Sequence, residues 1–129
     1  MMSLQKLGVC SAVLTALLLP VCGASAHIVD IAWTADGRFI HKTRIAAGKF
    51  MEICGKVSAG ETVRWSFNAE APLDFNIHYH VGKDVIYPIK RAQVSVGQDV
   101  LAATVTQDYC WMWTNKTALP VNLSAELGR

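Results

Sequence analysis

Beyond residue 26 the sequence has no apolar stretch long enough to cross a bilayer, which argues against a membrane span in the body of the chain. It has no run of lysine and arginine interleaved with aromatic residues, so it lacks the electrostatic footprint of a nucleic-acid binder. Long stretches of helical periodicity are missing. So are a glycine-rich phosphate loop, paired carboxylates in a cleft-forming motif, and a serine–histidine–aspartate set in a strand–turn context. These absences set hydrolytic and phosphate-loop chemistry aside. The expectation is a chain that is not an enzyme, with copper redox chemistry as the one catalytic alternative. Internal repeats and low-complexity segments are also absent.

What is present begins with a leader. Lys6 supplies a short basic region, Leu7 to Leu19 is an apolar run of 13 residues, and Ala24-Ser25-Ala26 offers small residues before a cut. That is the pattern of a secretory signal peptide over residues 1–26, with residues 27–129 as one domain beginning at His27. Lipid attachment at Cys22 is the rival, but Pro20 and Val21 do not suit its recognition box. The 103 remaining residues carry a net charge of about +1, since Lys6 is the leader's one charged side chain. The expected location is periplasmic or secreted.

Cys10 and Cys22 leave with the leader, so Cys54 and Cys110 remain, 56 positions apart. In an exported chain an even pair reads first as a disulfide. Two free thiols binding a soft metal are the alternative, although no C-x-x-C spacing supports it.

Short alternating runs are separated by turn residues at intervals of about ten, which predicts an all-β, antiparallel β-sandwich of about eight strands. The runs are 27–34, 38–46, 49–57, 62–68, 73–81, 85–92, 98–106, 109–114 and 119–127. "ADG" at 35–37, "SAGE" at 58–61, "EAP" at 70–72 and "GKD" at 82–84 interrupt them. Residues 73–81 alternate most cleanly. Leu73, Phe75, Ile77, Tyr79 and Val81 face one way, and Asp74, Asn76, His78 and His80 face the other.

Three segments resemble a GOLD domain: "KFMEICGKV" followed by "GETVRWSF", then "LDFNIHYHVGKDVIY", then "TQDYCWMWTN" with "LPVNLSAEL" after it. The likeness covers roughly residues 48–127. It implies a β-sandwich that binds proteins or small ligands, with no catalytic residues of its own. It also places Cys54 and Cys110 where secretory cargo receptors of that family carry their disulfide. The coiled coil and membrane helix of those receptors have no counterpart in this sequence, so the expectation is a free, exported GOLD-like domain. The "HYH" at 78–80 is not part of the family pattern.

That motif has two readings. His78 and His80 on one strand face put their Cβ atoms roughly 6–7 Å apart, close enough to share copper or zinc. Further ligands would come from Asp74 or Asn76 on the same face, from His41, or from His27. After cleavage His27 carries a free α-amine beside its imidazole, a pair that chelates Cu(II). The plainer reading is the wet outer face of a strand. A pH-sensitive histidine pair is a third. Trp111 and Trp113 likewise form either core or an exposed aromatic platform for a ligand. Met51 and Met112 read as core filler or as soft copper ligands. The expected function is a non-catalytic binding module for a protein or small molecule. The alternative is a copper- or zinc-binding protein using His27, His78 and His80. Asn115-Lys116-Thr117 and Asn122-Leu123-Ser124 match the N-glycosylation pattern.

Overall fold

The computed structural model describes residues 27–129; the expected leader lies outside the described residues. Those residues form seven strands and no helix, and so no helix long and apolar enough to cross a membrane. The strands are β1 (His27–Asp30), β2 (Arg38–Ile45), β3 (Phe50–Val57), β4 (Thr62–Val81), β5 (Asp84–Ala102), β6 (Gln107–Thr114) and β7 (Val121–Gly128). All pairings are antiparallel except β1 with β3, which is parallel.

The count is lower than the nine runs of the sequence because two pairs of runs are continuous. Residues 62–68 and 73–81 join into the 20-residue β4, and 85–92 joins 98–106 in the 19-residue β5. Pro72 does not end β4. It falls in a register shift between Asn68 and Leu73, where the ladder makes no demand on its missing N–H.

This bend organises the molecule. The first half of β4 pairs with β7, and the second half pairs with β6. Strand β5 follows β4 through both halves along the other edge. The sheet, in the order β1-β3-β6-β4-β7-β2, therefore folds on itself at β4. One layer is β1-β3-β6 with residues 74–78, and the other is β2-β7 with residues 64–69. The sandwich expected from the sequence is thus one sheet doubled over.

Alternation supplies the core between the layers. Met51, Ile53, Ile77, Trp111 and Trp113 point in from one layer, and Trp65, Phe67, Leu123 and Leu127 from the other; all are buried. Phe75 ties the two together. Its ring centroid lies 4.8 Å from Trp65, 4.9 Å from Phe67 and 5.3 Å from Trp113. Gly97 on β5 lets the hairpin close on this cluster, because a Cβ there would stand 2.6 Å from the Phe67 ring.

Candidate functional site

Register decides which side chains share the outer face of the first layer. His78 is opposite Cys110, Cys110 opposite Cys54, and Cys54 opposite Asp30, one row across four strands. The adjacent row is Asn76, Met112, Glu52 and Ile28. Cys54 and Cys110 are joined in a disulfide, so the free-thiol alternative is set aside.

Glu52 leans over the disulfide toward His78, with Oε1 3.7 Å from the imidazole Nε2. Both side chains are largely covered, 15% and 5% exposed. The motif expected to be a wet strand face is therefore half buried: His78 lies under its neighbours while His80 stays exposed. Asn76 Oδ1 accepts a hydrogen bond from Nδ1 of His78 at 2.8 Å. An amide oxygen only accepts, so Nδ1 carries the proton, and in the neutral imidazole the Nε2 lone pair then faces Glu52. Burial pushes the Glu52 carboxyl above its ordinary pKa, partly offset by His80. Burial, with a smaller contribution from His80, holds His78 below the usual imidazole value.

The rim comes from the β4–β5 hairpin. The His80 ring lies 5.2 Å from that of His78, edge to face, and Tyr87 lies 5.8 Å from His78. Lys90 Nζ sits 4.6 Å above the Tyr87 ring. Val81, Val85 and Ile86 end the hairpin, all exposed.

The other residues singled out in the sequence fall elsewhere. His27 is opposite the buried Met51, one step out of phase with Glu52, so it belongs to the inner side of the sheet. There its ring stacks 6.3 Å from His41, whose Nε2 is buried without a partner. A single ion on His27, His78 and His80 is excluded because the sheet separates them. Trp111 and Trp113 are 0% and 1% exposed, so no aromatic platform forms and neither can touch a ligand at the surface. Met51 is core. Asp74 is on the outer face but is engaged: it accepts from Gln93 and pairs with Lys116. Asn115 is fully buried with its amide bonded to Ile45 and Leu119 carbonyls, which removes its glycosylation motif from solvent.

Glu52 is the residue that sequence reasoning missed. The signal was available, since a Cys54–Cys110 bridge puts Glu52 two residues from Cys54 and on the same face. Among the described residues, Glu52, His78 and Cys110 form the one group of three metal-capable side chains within 4.8 Å. Cys110 contributes no thiolate, being bridged. A groove on the other layer, lined by Arg38, Arg64, Asp99 and Glu126, is less promising. Arg38 is paired there with Glu126, and Asp99 with Arg91.

No protein-family model and no curated protein sequence matches the chain. Solved structures do. A periplasmic lysozyme inhibitor of g-type lysozyme, PliG from Aeromonas hydrophila, superposes with a TM-score of 0.57 at 12% identity, covering 80% of this chain and 96% of that one. The pre-peptidase C-terminal domain of a Bacillus anthracis collagenase gives 0.52 at 12% identity, covering 82% and 95%. These likenesses establish the fold, a small β-sandwich shared across unrelated sequences.

Proposed function

We propose that this chain is an exported, non-catalytic binding module that holds a protein partner with the outer face around His80 and the end of the β4–β5 hairpin. The observation that carries this reading is the hairpin end itself. Val85 and Tyr87 are 37% and 44% exposed and share the face of His80 and His78, bordering the polar group of Glu52, His78 and His80. Val81 and Ile86, 50% and 41% exposed, end the hairpin on its other face. An apolar rim beside a fixed polar anchor is the composition of a recognition surface. Among the described residues strand β5 pairs with β4 alone, which leaves its outer edge open there; Pro88 and Gln93 (φ 52°) interrupt it and guard against indiscriminate strand pairing.

Three further points support the reading. PliG, on the same fold, is a periplasmic inhibitor, and an inhibitor acts by binding. The GOLD-like segments imply a binding sandwich. Residues 1–26 and the disulfide fit an extracytoplasmic location.

The test starts from the exported chain immobilised and exposed to extracytoplasmic extract of its own source. A retained protein is identified and purified, and its Kd measured. Tyr87→Ala combined with Val85→Ser should weaken binding tenfold or more, while Leu119→Ser, at an exposed position outside the hairpin, should not. A partner whose affinity ignores the hairpin, or which the chain chemically converts, contradicts the proposal.

A further inference from the structure

We propose that Glu52, His78 and His80 form a site for one divalent transition-metal ion, zinc in the first place, on the outer face of the β3–β6–β4 layer. This goes beyond the binding reading and does not depend on it.

The argument begins with a mismatch. Nε2 of His78 and Oε1 of Glu52 face each other at 3.7 Å, both mostly buried. That is too long for a hydrogen bond. With Nδ1 committed as donor to Asn76, both facing atoms are acceptors when the imidazole is neutral and the carboxylate ionised. A proton or a metal ion would relieve two lone pairs turned on each other. At 3.7 Å the gap is longer than a proton-bridged contact and suits a metal ion. Among the described residues no lysine or arginine pairs with Glu52. Two ligands of a tetrahedral zinc, each about 2.0–2.1 Å from the ion, stand about 3.4 Å apart. The observed separation is within a few tenths of an ångström of that value.

The surroundings fit the same ion. Metal-bound histidines are held by a hydrogen bond from their second ring nitrogen, and Asn76 provides one. His80 is exposed, with its ring 5.2 Å from His78, so a side-chain rotation brings it in as third ligand. The disulfide ties β3 to β6, and β6 pairs with β4, so the strands carrying Glu52 and His78 are held at fixed separation. Two imidazoles and a carboxylate suit zinc, and also Cu(II). Tyr87, its ring 5.8 Å from that of His78, stands beside the site.

The test is calorimetric titration of the oxidised, exported chain with zinc, and separately with Cu(II). One equivalent should bind. Glu52→Gln, which keeps the shape, and His80→Ala, at an exposed position, should each lower affinity tenfold or more, with folding checked by circular dichroism. His41→Ala should leave it unchanged. Zinc should shift the NMR signals of the His78 ring while its Nδ1 proton persists. Absence of binding tighter than that of the Glu52→Gln/His80→Ala double variant overturns the proposal. So does binding that disappears in His41→Ala instead, which would place the ion at the His27–His41 edge.

Discussion

Cys54 and Cys110 stand directly opposite each other in the β3–β6 ladder, 4.1 Å apart at Cα and bridged. The bridge closes a loop of 56 residues, long enough that it removes much unfolded-state freedom. Replacing both cysteines by alanine should lower unfolding stability by about 4 kcal/mol on the loop-entropy estimate. Urea denaturation of the oxidised protein and the double variant, with and without reductant, checks this. A loss well under 1 kcal/mol would mean that the ladder alone holds the strands.

Phe75 should be the most expensive single truncation in the core. It is 1% exposed and touches aromatic rings from both layers. Phe75→Ala should cost about 3–5 kcal/mol. Phe75→Leu keeps most of the volume and should cost less. Denaturant midpoints with unchanged slopes would report these as losses of native stability.

Asn115 acts as a buried clamp. Its Nδ2 donates to the carbonyls of Ile45 and Leu119, and its Oδ1 accepts from the Thr117 N–H and hydroxyl. Asn115→Ala strands these groups and should cost about 2–3 kcal/mol. Asn115→Asp should cost more, because it turns a carboxylate toward two carbonyl oxygens. Thermal melts of both variants rank them.

Glu52 and His78 bias stability in opposite directions with pH. Glu52 has a folded pKa above its unfolded value, so its contribution is full below about 4.5 and fades as pH rises through the raised value. His78 has a folded pKa below its unfolded value, so its contribution is full above about 6.5 and fades as pH falls through the lowered one. In the presence of chelator, Glu52→Gln should therefore melt a few degrees above the unsubstituted chain at neutral pH, and the gap should close near pH 4. A gap independent of pH would show that the carboxyl titrates as it would in water.

Much of the fold could be read from alternation. Val63, Trp65, Phe67, Leu73, Phe75 and Ile77 are buried in the phase the sequence predicts, and Trp111 and Trp113 share the face opposite Cys110. The continuity of β4 through Pro72 could not be read, because a bulge absorbs what would otherwise end a strand. The candidate site was legible only in part. His78 and His80 were visible as neighbours, being local. Whether His27 joins them depends on which strand lies beside which, and that order is set by contacts far apart in sequence. The parallel pairing of β1 with β3 puts His27 in phase with Met51 and so on the wrong side of the sheet. Glu52 became part of the site through the same long-range pairing.

The claim that the outer face at the β4–β5 hairpin is the working surface has a direct test. Tyr87 and Ile40 are both exposed apolar positions, 44% and 53%, on opposite layers of the sandwich. A photo-crosslinking phenylalanine analogue is placed at position 87 in one sample and at position 40 in another, and each is irradiated with the captured partner. The account predicts a crosslinked product from position 87 and none from position 40. Crosslinking from position 40 alone, or equally from both, would contradict it.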